Sequence, residues 1–289
     1  MKMTFIAAAL ISIFCSTVSA APLKILIVND DGCESPGSVS LQEKLTQKGF
    51  DVWLVAPTTN QSGIGSAITF KTDKVFDVKL AASKRYCFPG TPADAVDFGL
   101  QGLLKNNAPD LVISGVNDGP NTGMAQVNSG TVSAAARAIR YGFPAIAASI
   151  GYIYTEDEMK NKWPTTHKYW PDAIDYIVDV VETLNHKHIS GSPLLPKGTG
   201  LSINYPPREK SKIKGVHYVE NDMFPTPQVG YDILPDGRAK QTLNPLSLNS
   251  LKDDTDSGWL NKGYITYTIF NGAWNAPQFQ SQYEELLKK

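Results

Sequence analysis

Several common hydrolase and nucleotide-enzyme signatures are missing from this chain of 289 residues, which has three cysteines and four histidines. No Gly-x-Ser-x-Gly elbow occurs, which argues against a serine nucleophile on a strand-to-helix turn. No Gly-x-x-x-x-Gly-Lys-[Ser/Thr] loop occurs, and no Gly-x-Gly-x-x-Gly follows the first predicted strand, so neither a P-loop nor a dinucleotide fingerprint is present. His167, His186, His188 and His217 all fall in the second half of the chain. They are expected on the surface or in packing, and His186 and His188 lack the i, i+4 spacing of a helical zinc pair. Charge of one sign is also lacking, with 27 Lys and Arg against 28 Asp and Glu. That balance gives no footprint for duplex nucleic acid and no patch for a membrane surface.

Long apolar runs are confined to the start. Lys2, the apolar stretch Phe5 to Phe14, and Val18-Ser19-Ala20 before Ala21-Pro22 read as a secretory signal peptide over residues 1–20, cut after Ala20. The stretch is too short to span a bilayer, and Phe14 before Cys15 argues against a lipoprotein. The expected product is exported, periplasmic or secreted, with residues 21–289 forming a single α/β domain. Only Cys33 and Cys87 survive processing. An oxidising compartment permits a bridge, but sequence spacing does not place their Cα atoms within bonding range, so the pairing stays open at this stage.

Against this background one stretch stands out. Ile25-Leu26-Ile27-Val28 is a run of aliphatic residues, as expected of a parallel strand buried on both faces, and it runs straight into Asn29-Asp30-Asp31-Gly32. Ligands of open parallel sheets bind beyond the carboxyl ends of the strands. Adjacent carboxylates repel unless a cation or donors hold them, and hard oxygen pairs suit magnesium, manganese or calcium. The competing reading is a plain Asn/Asp/Gly turn.

The next segments supply partners. An amphipathic helix with Ser38 as N-cap and Gly49 at its end leads to a strand over Asp51 to Pro57, a right-handed βαβ unit. The loop Thr58 to Gly65, with Asn60 and Ser62, therefore leaves the sheet at the edge of Asp30 and Asp31. Residues 66–86 read as a hairpin or irregular excursion, and Thr91 as the cap of a helix with Pro92 near its start. A strand from Pro109 ends in Ser114-Gly115-Val116-Asn117-Asp118-Gly119-Pro120-Asn121. Ser129-Gly130-Thr131 then opens a helix to Tyr141, and backbone N–H groups at such a start make an anion site for phosphate. A strand over Phe143 to Ile150, a helix over Tyr169 to Asn185 and a strand over Leu201 to Tyr205 follow. Beyond them lie a Pro-punctuated extended arm from His217, an alternating strand to Phe270, and a terminal helix over residues 278–289. Trp53 and Phe143 are assigned to the core, and Arg137 and Arg140 to the surface.

Hard oxygen donors at three strand exits beside an anion-binding helix start point to metal-assisted phosphate-ester hydrolysis. The order and spacing of Asn29-Asp30-Asp31-Gly32, Pro36-Gly37, Ala56-Pro57, Asn60-x-Ser62-Gly63, Gly90-Thr91-Pro92-x-Asp94, Ser114-Gly115-Val116-Asn117-x-Gly119-x-Asn121 and Ser129-Gly130-Thr131-Val132 resemble the SurE (survival protein E) phosphatases. Jointly these motifs are highly specific, and the resemblance covers nearly all of the mature chain.

The resemblance implies a Rossmann-like, mostly parallel sheet with helices on both faces. It also implies a nucleoside 5′- or 3′-monophosphatase, with acid-phosphatase or exopolyphosphatase side activity. One divalent ion, Mg2+ or Mn2+, would be held by Asp30, Asp31, Ser62 and Asn117, with Asn60 joining Asp30 and Asp31 in catalysis. Ser114, Gly115, Ser129, Gly130 and Thr131 would lie on the phosphate side. It implies homodimers or tetramers formed through a C-terminal arm, with about residues 216–270 here forming an extended oligomerisation arm and its returning strand. Departures are the signal peptide, Asn128 where an aromatic residue commonly precedes Ser-Gly-Thr, Ala95 where a cysteine is frequent, and Cys33 after Asp-Asp-Gly. Two rivals are an exported protein that binds a phosphorylated ligand without turnover, and an aspartyl phosphatase of the haloacid dehalogenase type. The latter needs Asp-x-Asp, whereas Asp30 and Asp31 are adjacent.

Overall fold

Ile25 and Ile27 belong to one apolar cluster and Leu26 and Val28 to another, and all four are fully buried, as the alternation of a strand covered on both faces requires. The computed structural model describes residues 21–188, 192–221, 228–244, 252–273, 278 and 280–287. The leader over residues 1–20 and the arm's Pro225 and Pro227 lie outside the described residues. Strand β1 (Lys24–Val28), helix α1 (Pro36–Gln47) and strand β2 (Asp51–Pro57) make the first βαβ unit. The excursion after it ends in the hairpin β3 (Lys79–Ala82) and β4 (Arg85–Phe88). Helix α2 (Pro92–Asp97) is closed by a capping box between Thr91 and Asp94, and a π-helical turn, Phe98–Leu103, continues it.

Strand β5 (Leu111–Asp118) leads through α3 (Ala125–Asn128) into α4 (Gly130–Arg140) and β6 (Ala145–Ile150). Helices α5 (Glu156–Lys160) and α6 (Pro164–Lys187) precede β7 (Gly200–Tyr205). Strand β8 (Val216–Tyr218), the hairpin β9 (Gln228–Ile233) and β10 (Ala239–Asn244), helix α7 (Asp256–Lys262), strand β11 (Ile265–Phe270) and helix α8 (Gln280–Leu286) complete the chain. The main sheet runs β3-β4-β2-β1-β5-β6-β7-β11-β8. From β4 to β7 neighbouring strands are parallel, while β3 and β11 pair antiparallel with the ends of that run. Helices α1 and α6 cover one face and α2 and α4 the other, the doubly wound arrangement expected from the sequence.

The chain reverses direction across the sheet at β1, with β2 on one side and β5 on the other. Diverging loops at such a switch point open a crevice, and the Asn29–Gly32 turn stands there. Two expectations are corrected. Ser38 does not cap α1; it lies inside the helix and is fully buried. Trp53 and Phe143 are only half-buried against the α2 and α4 face. Within residues 216–270, β8 and β11 join the main sheet, and the β9–β10 hairpin forms a second, two-stranded sheet.

Candidate metal and phosphate site

Asn29, which sequence reasoning passed over as a turn residue, shapes the turn. Its Oδ1 accepts from Gly32 N at 2.9 Å, and its Nδ2 donates to Gly32 O at 2.9 Å and to the Ser38 hydroxyl. Ser38 Oγ donates onward to Gly115 O at 3.0 Å, which ties the turn to β5. Gly32 takes φ +115°, a backbone conformation that a side chain disfavours. The outcome is a rigid turn carrying Asp30 and Asp31 past the end of β1.

Asp30 is buried, and its Oδ1 accepts from Thr131 Oγ1 at 2.6 Å. Burial pushes its carboxyl upward, while the Thr131 hydroxyl and the N–H groups of Thr131 and Gly130 pull the other way. The start of α4 thus points its positive end at Asp30. Gly130 leaves no room for anything larger, since an added Cβ would stand 2.6 Å from Asp30 Cβ. Asp31 accepts from Asp118 N at 3.3 Å and from Asn60 Nδ2 at 3.4 Å. Burial and the neighbouring Asp30 charge lift its carboxyl to about 7. Among the described residues neither carboxylate pairs with a lysine or arginine.

The other sequence-selected residues separate into two groups. Asn60 Oδ1 accepts from Ser62 N at 2.9 Å, so the exposed loop after β2 folds back over Asp31 with Ser62 at its turn. Asn117 is buried at the end of β5, its Nδ2 donating to Gly119 O at 2.8 Å, which leaves the amide oxygen available as a donor atom. Ser129 Oγ caps α4 by accepting from Val132 N at 3.0 Å. Ser114 and Gly115 sit deeper, inside β5. The Ser114 hydroxyl is buried without a partner among the described residues, and Gly115 packs so closely on β6 that a Cβ would stand 2.2 Å from Ala148 O. No cluster of three or more His, Cys, Asp or Glu forms among the described residues. A cation here would be held by two carboxylates and neutral oxygens, a donor set that fits a hard divalent ion.

The profile of the family described as Survival protein SurE matches residues 25–223. The chain belongs to the SurE family. It is 32% identical over 251 residues to "5′-nucleotidase SurE 1" of Burkholderia lata, covering 85% of this chain and 89% of that protein. It is 33% identical to "5′-nucleotidase SurE" of Wolbachia pipientis, covering 84% and 88%. The match to the Caulobacter sp. protein of that name, 37% identical, spans 55% of this chain and only 58% of the relative. A solved structure, the SurE protein from Aquifex aeolicus, superposes with a TM-score of 0.74 at 29% identity, over 92% of this chain and all of that one.

His167, expected on the surface or in packing, is half-exposed in this SurE chain and reaches the strand exits from α6: its Nε2 lies 2.9 Å from Asp118 Oδ2. Asp118 is the last residue of β5 and links the histidine to Asp31 through its own backbone N–H. Tyr152 OH donates to Asp118 O at 2.7 Å, and its ring stacks on Trp163 at 4.2 Å. Burial first, and the Asp118 charge second, hold the Tyr152 hydroxyl protonated well above its usual range. Asn121 ties the loop after β5 to the sheet, with Nδ2 donating to Ser149 Oγ at 2.9 Å and N donating to Asn204 Oδ1 at 2.8 Å. Cys33 and Cys87 are bonded, with Cα atoms 5.1 Å apart, so the turn is pinned to β4.

Proposed function

We propose that this protein is a metal-dependent phosphomonoesterase that releases phosphate from nucleoside 5′- or 3′-monophosphates, with general acid-phosphatase or exopolyphosphatase activity as a side reaction. The observation that carries the reading is the pair Asp30 and Asp31, adjacent, largely buried and without a cationic side chain, at the sheet's switch point. A divalent ion, Mg2+ or Mn2+, would supply the missing positive charge. Asp30, Asp31, Ser62 Oγ and the Asn117 amide oxygen would hold it. When bound, such an ion lowers the pKa of its water and polarises a phosphoryl oxygen. Asn60, hydrogen-bonded to Asp31, orients substrate and carboxylate together, and the start of α4 with Ser129, Gly130 and Thr131 closes the phosphate side. Ser114 and Gly115 set the floor beneath it. The relatives named 5′-nucleotidase SurE support nucleotides as the substrate class.

The protein acts as an exported homodimer or tetramer in this reading. The Cys33–Cys87 bond supports an oxidising, periplasmic or secreted location. The hairpin β9–β10, which presents Val229, Tyr231 and Ile233 to solvent, supports self-association. The test is phosphate release from nucleoside 5′- and 3′-monophosphates and polyphosphate with Mg2+ or Mn2+, comparing wild type with Asp30→Ala and Asp31→Ala. Wild type is expected to turn over and each variant to lose at least about a thousandfold in kcat while remaining folded. Metal binding without turnover of any ester would favour a binding protein, and a trapped phospho-aspartate on Asp30 would favour an aspartyl phosphatase.

A further inference from the structure

Phosphomonoester hydrolysis ends with an alkoxide leaving the phosphorus, and a poor leaving group of this kind needs a proton in the transition state. The site described above is short of proton donors. Asp30 and Asp31 serve as anionic ligands when the ion is bound, the Thr131 hydroxyl is committed to Asp30, and Tyr152 is held protonated by burial with its O–H given to Asp118 O. Among the described residues no lysine or arginine pairs with these carboxylates. His167 is the imidazole at this edge, held by Asp118 at the end of β5.

Its placement suits that task. The imidazole is half-exposed, at 46% of its reference area, while Asp118 beneath it is more covered, at 29%. Nε2 is engaged by Asp118 Oδ2 at 2.9 Å, so a carboxylate fixes the ring from one side and leaves Nδ1 for a ligand. Trp170 lies along the ring, with centroids 6.0 Å apart, and is itself fixed by its Nε1 donating to Val116 O at 3.2 Å. The titratable group in contact with the imidazole is Asp118 from β5, whose backbone in turn donates to Asp31 and accepts from Tyr152. Lys168 on its own helix turns aside onto the Tyr169 ring. The loop that delivers α6 also bears the mark of a constrained segment. Lys162 and Trp163 both sit at left-handed φ, +57° and +59°, a conformation that persists where surrounding contacts demand it. Those contacts are the Trp163 stack on Tyr152 and its N–H to Glu158 O at 2.7 Å.

We infer that His167, oriented by Asp118, is the proton donor to the leaving oxygen, an assignment that rests on the phosphomonoesterase reading above. Water oxygen bonds to phosphorus as the bond from phosphorus to the nucleoside oxygen breaks. The electron pair departs on that oxygen, which takes the proton from Nδ1 of the imidazolium. The proton shed by the attacking water goes to solvent, and solvent returns one to the imidazole. Nothing is oxidised or reduced.

The experiment compares wild type, His167→Gln and Asp118→Asn on a nucleoside monophosphate and on 2,4-dinitrophenyl phosphate, whose phenolate departs without protonation. His167→Gln should lower kcat on the nucleotide about a hundredfold or more, change the dinitrophenyl ester less than tenfold, and remove the alkaline fall of the nucleotide pH profile. Asp118→Asn should show the same leaving-group selectivity more weakly. Equal losses on both esters, or an unchanged nucleotide rate, would overturn the assignment. A wild-type protein that cleaves neither ester with Mg2+ or Mn2+ would overturn the hydrolase reading and this inference with it, whereas a selective failure confined to the variants touches His167 alone.

Discussion

At the scale of single residues, the electrostatics of Asp31 fix how the protein should answer to pH. Its folded pKa stands near 7, above the ordinary carboxylate value of 3.8, through burial and the Asp30 charge. A raised value means the folded, ion-free protein holds a proton that the unfolded chain gives up. The associated stability is full below the ordinary value and is lost as pH rises through about 7. In chelator, the melting temperature should fall between pH 5 and pH 8. Added Mn2+ should raise it more at pH 8 than at pH 5, because protons and metal compete for the same oxygens. Differential scanning fluorimetry decides this, and an equal gain at both pH values would contradict the ligand role of Asp31. Asp30 and Asp31 were legible because charge after a buried strand is rare and strand ends are where sites form. Asn29 and His167 were not. An Asn in a turn has an ordinary explanation, and nothing in the local pattern around His167 says that its helix will aim it back at β5.

At the scale of elements, the start of α4 shows where pattern reading stops. Ser129-Gly130-Thr131 announces a helix N-terminus and an anion, and both are present. Helix polarity gives the sign of the ligand but not its identity, and the anion in contact is the chain's own Asp30. Gly130→Ala should therefore destabilise the fold by about 1–3 kcal/mol, read from urea unfolding. The overpacking outweighs the roughly 0.5–1 kcal/mol that alanine contributes inside a helix, because the atoms 2.6 Å from the new methyl belong to a buried side chain. Unchanged or increased stability would mean that Asp30 moves freely. The segment holding β8 was read as part of an arm because proline and aromatic texture mark an edge without saying which sheet owns it, and β11 was read as an alternating strand without a partner. Their pairing is long-range, β11 against β7 and β8 against β11, and no local signal encodes it.

For the whole molecule, the parallel character of the sheet was legible in its βαβ crossover, whereas the place of the outlying hairpin β9–β10 was not. Val229, Tyr231 and Ile233 alternate along β9 and share one face, each more than half exposed. Tyr231→Glu should shift the protein toward monomer in light scattering after gel filtration, with activity per site largely kept. An unchanged mass would remove this face from the assembly. The disulfide also has a global effect: it closes a loop across a separation of 54 residues, and in the chain-entropy view it contributes about 4 kcal/mol, to be seen as a lower urea midpoint for Cys33→Ser/Cys87→Ser. The same bond draws a ring through the chain that contains β2, the Asn60 and Ser62 loop and β3. A protease that nicks the exposed loop between residues 58 and 78 opens this ring without dividing the molecule. Both pieces stay joined beside Asp30 and Asp31, so a cut protein should run as one band until it is reduced.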